Sequence, residues 1–324
     1  MKRREFIVGL GAAITGSVQV DAQELAPVPL VGYLDDGPVE GFIFRQVVFR
    51  KGLAAADYFE GCNVAIEAHR AGLVDWASDL VDRGVAVLVA SGSASAILAA
   101  KAATTTIPIV FGFGADPVET GLVSSLDRPG GNITGITSMT ADIGSRRLGL
   151  LRDLLPQATR VALLVDPGDD TTVVKSMIAD VRGAAVAIGG QIEVFYARDI
   201  GDIDAAFASL VEKRSEVLLV SSSSLFSSHR MEIVALAAQH RVPTLYFERD
   251  FAEAGGLMSY GPNIPEQYRQ LGIYAGRILS GQKPGDLPVR RATRLEFVIN
   301  LTTAKTLGLT IPQTLLAIAD EVIR

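Results

Sequence analysis

Strand-length apolar runs alternate with helix-length segments along this sequence, and the alternation occurs twice in series. The first series reads LVGYLD (30–35), VAIEAH (64–69), VAVLVA (85–90) and IPIVF (107–111), with helical segments over 41–58, 73–83 and 93–103. The second reads RVALLVD (160–166), QIEVFYA (191–197), EVLLVS (216–221) and VPTLYF (242–247), with helical segments over 170–188, 202–213 and 226–240. A strand that is apolar almost throughout is buried on both faces. Such strands separated by helices form parallel sheets held between helix layers. The predicted fold class is therefore α/β, with two lobes that are each a parallel sheet flanked by helices. The length of 324 residues, more than one comfortable core, agrees with two units. DRPGGNITGIT (127–137), rich in Gly and Pro, is expected to lead into a segment crossing between lobes. SGQKPGDLPV (280–289) is a second turn-rich connection, followed by a strand-like LEFVINL and a final helix.

Several function classes are disfavoured. A net charge of -6 argues against a nucleic-acid partner. One cysteine, Cys62, leaves no internal disulfide and no Cys-based metal site. It is expected to be inert and half-buried in the turn YFEGCNV. His69, His229 and His240 fall in different segments without metal-ligand spacing. There is no P-loop and no G-x-S-x-G elbow, and no cofactor is expected. The start, MKRREFIVGLGAAITGSVQVDAQ, has basic residues, then an apolar stretch from Phe6 to Val18. Small residues precede a cleavage point after Ala22, so 1–22 reads as a secretory signal peptide, too short for a membrane anchor. Arg3-Arg4 followed by Glu5-Phe6-Ile7 resembles a twin-arginine export signal.

In open parallel sheets, ligands bind beyond the carboxyl ends of the strands, and polar chemistry collects there. The first strand ends in Tyr33, Asp35 and Asp36, the third in Ser91, Gly92 and Ser93, and the fourth in Phe111, Gly114, Asp116 and Pro117. In the second series the ends carry Asp166, then Ser221, Ser222 and Ser223, then Phe247 and Glu248. Tyr260 follows a further short strand. Ser91 and Ser93, with the unpaired N–H groups of a helix start, suit a carboxylate. Asp116 or Glu248 suits an ammonium. Phe111, Phe247 and Tyr260 suit an apolar or flat side chain. Plainer roles stand beside these. Ser93 can cap its helix, Asp116 can start one, Asp166-Pro167-Gly168 can be a turn, Tyr260 can pack a corner, and the four serines from Ser221 can be a solvated loop. Ser93 can also cap while Ser91, Gly92 and the adjacent N–H groups face a cleft. Hydroxyls, acids and aromatics without a catalytic base predict binding without chemistry.

IPIVF, DPVETGLVSSLDRPGGNITGIT, EAGGLMSYGP and FVINLTTAKTLGLTIPQTLLAIADEVI resemble the substrate-binding proteins of ABC transporters, in the group that includes tryptophan- and tyrosine-binding members. The resemblance covers nearly the whole chain after the signal peptide. It implies a type I periplasmic binding-protein fold with two lobes, a hinge and a central cleft. The N-terminal lobe would comprise 28–137 plus about 262–290, and the C-terminal lobe 138–261 plus about 291–324. It implies a periplasmic monomer that closes on a small carboxylate-bearing ligand, an aromatic or branched amino acid or a related acid. That solute would be delivered to an ABC permease in the inner membrane. The SGS and ADP turns fall where members of the family hold the ligand's polar end. Three departures stand out. HRAGLVD is shorter than usual, Ser221–Ser224 replaces a segment that often carries proline and aspartate, and Glu248 stands where relatives often have tryptophan. The ligand is therefore not inherited with the family name. A sensor subunit presenting its ligand to a signalling kinase is a second reading, and an exported α/β hydrolase or transferase a third.

Overall fold

The structure, a computed structural model, describes residues 28–37, 39–70, 72–114, 116–138, 143–168, 171–291 and 295–324. The expected signal peptide at 1–22 lies outside them. The described chain begins β1 (Leu30–Asp35), α1 (Val39–Ala54), β2 (Ala65–His69), α2 (Leu73–Asp82), β3 (Val87–Ser91), α3 (Ala94–Ala103), β4 (Ile109–Phe113) and β5 (Ile133–Thr137). It continues α4 (Gly144–Leu154), β6 (Arg160–Val165), α5 (Thr171–Ala187), β7 (Gln191–Tyr196), α6 (Ile200–Glu212) and β8 (Val217–Val220). Then come α7 (Ser224–Ser228), α8 (Arg230–Gln239), β9 (Thr244–Tyr246), α9 (Arg249–Glu253) and β10 (Met258–Pro262). The last part is α10 (Ile264–Leu279), β11 (Arg290–Arg291), β12 (Leu295–Asn300), α11 (Leu301–Leu307), α12 (Gln313–Ile318) and β13 (Glu321–Ile323).

The strands sort into two sheets. The first has the order β2-β1-β3-β4-β5-β11, with every pair parallel. The second has the order β7-β6-β8-β9-β10-β12-β13, parallel except where β12 runs against β10. The chain passes between the sheets after β5, after β10 and after β11. Each sheet is covered on both faces. Along β3, Val87 and Val89 join the core under α1 and α10, while Leu88 and Ala90 join the core under α2 and α3. Burying each large branched side chain contributes about 1.5–3 kcal/mol, so the apolar runs fix the sheet interiors. Helices α1 and α10 cross at unusually close range. A Cβ at Gly52 would stand 2.0 Å from the Arg269 carbonyl oxygen, and one at Gly272 would stand 2.1 Å from that of Phe49. Glycine at both positions lets the two backbones touch.

The structure corrects several expectations. Turn chemistry in 127–137 stops at Asn132, and Ile133–Thr137 is a fully buried strand paired with β4. The helix expected over 226–240 is two helices that part at His229. The stretch 264–279 was unassigned from sequence and is a long helix whose N-cap Asn263 accepts a hydrogen bond from the Glu266 N–H at 2.8 Å. The chain does not finish in a helix. Two short helices lead into β13, which pairs in parallel with β12. Cys62 is exposed in its turn, not half-buried.

Candidate functional site

In both sheets the winding reverses between the first and second connections, so β1 lies between β2 and β3, and β6 between β7 and β8. At such a switch point the loops beyond the strand ends diverge and leave a crevice. The loops after β1, β3 and β4 face the loops after β8 and β9 across a cleft of about 730 Å³, its open mouth included.

The two switch points are built alike. In the first, the Ser93 hydroxyl donates to the Asp36 carboxylate, and Ser95 Oγ donates to the same Oδ2 at 3.0 Å. Ser93 also caps α3, accepting from the Ser95 N–H at 3.1 Å. In the second, Ser223 Oγ donates to Asp166 Oδ2 at 2.7 Å while capping α7 through the Leu225 N–H at 3.0 Å. Asp166 Oδ1 further accepts from the Gly168 N–H at 2.8 Å. The Ser91–Ser93 turn, expected to cradle a ligand's carboxylate, holds a carboxylate of the chain itself, and so does the serine turn of the second lobe. A negative group at the start of a helix is electrostatically favoured, and each aspartate supplies it.

The first-lobe wall rests on Asp35, which is fully buried. Its carboxylate accepts from Arg45 Nε at 2.7 Å, Arg45 Nη2 at 3.2 Å, the Gly37 N–H at 2.8 Å and Tyr33 Oη at 3.2 Å. Burial holds the Tyr33 and Tyr268 phenols well above their ordinary pKa, so both stay protonated. The Arg45 guanidinium lies 5.8 Å from the centre of the Tyr268 ring and reaches the cleft surface. Beside it the wall is backbone at Gly37, Gly92, Gly112 and Gly114. Gly92 has φ +97°, and a Cβ there would lie 2.5 Å from the Gly37 nitrogen. Only glycine lets the turns after β1 and β3 pack this closely. Phe113, Ser138, Pro262, Ile264, Gln267 and Tyr268 complete this side.

The opposing wall is made of small hydroxyls, one ring and one acid: Ser222, Ser223, Ser224, Ser227, Phe247 and Glu248. Ser227 Oγ donates to Glu248 Oε1 at 2.6 Å. Removal from water, with Asp250 adding negative potential, pushes the Glu248 carboxyl up from 4.5 to about 7; Ser227, Arg230 and Arg45 pull the other way. Beneath this wall Arg147 is fully buried on α4. Its Nε donates to the Tyr260 carbonyl at 2.7 Å and its Nη2 reaches that of Phe247 at 3.5 Å. Burial lowers its pKa to about 9. Arg147 thus ties the cleft wall to β10, the strand that leads into the second crossing.

Of the residues singled out from sequence, Gly92, Gly114, Ser222, Ser223, Phe247 and Glu248 line the cleft. Tyr33, Asp35, Ser91, Phe111 and Ser221 are buried beneath or beside it. Asp36, Ser93 and Asp166 form the two clasps. Asp116 sits outside the wall and accepts from the Val118 N–H at 2.7 Å and the Glu119 N–H at 3.3 Å, a turn-starting role, with Pro117 buried behind it. Tyr260 packs edge-on against Phe297. Arg45 was missed, although Phe42, Arg45 and Phe49 share one face of α1 and so place the cation on the inward side. Ile264, Gln267 and Tyr268 were missed with their helix. The pattern Asn263-Ile264-Pro265-Glu266, a cap residue with Pro and Glu in the first turn, is the signal that marks it. Among the described residues no group of His, Cys, Asp or Glu is arranged to hold a metal ion.

Residues 45–323 match the family described as ABC transporter substrate binding protein. A tyrosine-binding protein of Clostridioides difficile (strain R20291) is 29% identical over 272 residues, covering 81% of this chain and 75% of that protein. A conserved domain protein of Vibrio cholerae superposes with a TM-score of 0.82 at 27% identity, covering 91% of this chain and 99% of that one. An ABC domain from Streptococcus pneumonia, solved in complex with L-Trp, superposes with a TM-score of 0.78 at 23% identity, covering 90% of this chain and all of that one.

Proposed function

Because the chain belongs to the ABC transporter substrate-binding protein family, we propose that it is the receptor of an ABC importer, exported to the periplasm as a monomer, that captures a small carboxylate-bearing solute, foremost an amino acid. The observation that carries this reading is the cleft between the two switch points. It is walled by both lobes and has Arg45, paired with Asp35, on one side and the Glu248 carboxyl on the other. The Clostridioides difficile relative named for tyrosine and the Streptococcus pneumonia structure holding L-Trp support an amino acid. The basic and apolar start of the sequence supports export. The two sheets with their helices are the two lobes, 28–137 plus about 262–290 and 138–261 plus about 291–324, turning about the three crossings. Ligand held by one wall recruits the other, and closure is favoured by as much as the ligand prefers the closed form. The cleft is read as a site of binding without turnover.

The test is a thermal-shift screen of the purified protein against amino acids, aromatic and branched carboxylic acids, and sugars, followed by calorimetry. A ligand that binds only the folded state raises the melting temperature. An amino acid that stabilises the protein and decreases its radius of gyration in solution scattering supports the reading. Sugars as the sole binders would overturn it.

A further inference from the structure

Every carboxylate near the cleft floor of either lobe has partners. Asp35 has Arg45, Tyr33 and Gly37. Asp36 has Ser93 and Ser95. Asp166 has Ser223 and Gly168. Glu248 is different. Among the described residues it is the one acid that lines the cleft, and no ion pair is made to it. It stands at the N-cap of α9 without capping that helix, so its carboxyl is not consumed by local structure. Its Oε1 is held by the Ser227 hydroxyl, which spends its only proton on this bond. Around it the wall is serine, small and polar; Arg230 and Arg45 act on the carboxyl only from beyond ion-pair distance, and Arg45 is already paired with Asp35. A carboxyl withdrawn from water without an ion pair is costly to keep. The burden is visible in a pKa raised to about 7.

We propose that Glu248 receives the ammonium group of the ligand. The proposal rests on the reading of the cleft as an amino-acid site and adds the residue that selects among carboxylates. An amino acid brings Glu248 a positive charge, and its deaminated acid does not. The site therefore favours the amino acid over the deaminated acid, and the ammonium contributes to holding the cleft closed.

The experiment measures calorimetric affinities for tyrosine, tryptophan and leucine and for their deaminated counterparts, 3-(4-hydroxyphenyl)propionate, 3-indolepropionate and 4-methylpentanoate. Wild-type protein is expected to prefer the amino acid by roughly 10-fold or more, the worth of a charge-assisted hydrogen bond. Glu248→Gln keeps the shape and the acceptor for Ser227, and is expected to reduce that preference to about 3-fold or less, with the deaminated acid bound no more weakly than by wild type. A second measurement needs no variant. The charged groups acting on Glu248 are Asp250, Arg230 and Arg45, and below about pH 6 the wild-type preference should shrink as the carboxyl takes up a proton. An undiminished preference in Glu248→Gln, or at pH 5.5, overturns the proposal and leaves the amino-acid site standing. Failure of all six compounds to bind wild-type protein overturns the amino-acid reading itself, and this proposal with it.

Discussion

Glu248 should make the ligand-free protein less stable as the solution becomes more alkaline, and removing its charge should reverse this. Its folded-state pKa is about 7, raised from 4.5 chiefly by desolvation. The folded protein therefore holds the proton more tightly than the unfolded chain does. The resulting stabilisation is fully present below about pH 4.5 and is lost as pH rises through 7. A rise from 4.5 to about 7 corresponds to at most about 3 kcal/mol. The cleft leaves the side chain partly open to water, so about 1–2 kcal/mol is the expected difference. Glu248→Gln has no charge to desolvate and escapes the loss. At pH 8 it should therefore melt about 2–8 °C above wild type, using about 2–4 °C per kcal/mol. At pH 4.5 the two should melt together. Asp250 shifts in the same direction but is present in both proteins and cancels in the difference. Scanning calorimetry of ligand-free protein at the two pH values reads the effect. A variant less stable than wild type at pH 8, or an offset that is the same at both pH values, would refute the account of Glu248 as a carboxyl held against its preference.

Arg45→Met removes the counter-ion of a fully buried aspartate and should cost about 3–5 kcal/mol in urea denaturation. Asp116→Ala removes a turn-starting acceptor outside the cleft wall. It should cost about 1 kcal/mol and leave calorimetric ligand affinity unchanged; weakened binding would mean the loop after β4 reaches the ligand. Asp36→Ala and Asp166→Ala each strip a charge-assisted bond from a capping serine and should cost about 1.5–3 kcal/mol. Because the clasps lie in separate lobes, the double variant should be additive within about 0.5 kcal/mol.

The architecture was legible because a strand buried on both faces leaves an unbroken apolar run, and both sheets are made mainly of such strands. What escaped was short or locally disguised. β13 has three residues and pairs only because β12 offers an edge. Helix α10 hides behind Gly261-Pro262, which read as a corner. The cleft was legible from topology, since the strand-end rule leads to the turns that line it. It does not say which side chains at a strand end turn outward. Tyr33 and Phe111 lie within their strands, where alternate residues point into the helix layers, and both are wholly buried. Gly92, Ser222 and Ser223 lie just past theirs, where the backbone has left the sheet. Asp116 is farther along its loop and turns back on its own N–H groups.

The two clasps also separate what the fold imposes from what the ligand requires. Each joins an aspartate one residue past the first strand of its sheet to a serine that caps the helix after the third strand. In both, the two residues are 57 positions apart. A helix start beside a switch point offers unpaired N–H groups; in each lobe the capping serine takes one of them, from Ser95 or Leu225, and the aspartate holds that serine, without any ligand. The same device in two lobes is thus explained by the backbone alone, and a serine turn there is no evidence of an anion site. The lobes differ in what stands in front of the clasps. The first places Arg45 there, already paired with Asp35. The second places Glu248, whose side chain's only hydrogen bond among the described residues is to Ser227. No requirement of the fold accounts for that asymmetry. A carboxyl left without an ion pair is destabilising wherever it is partly buried, so its presence in the wall is consistent with a positive charge that arrives with the ligand.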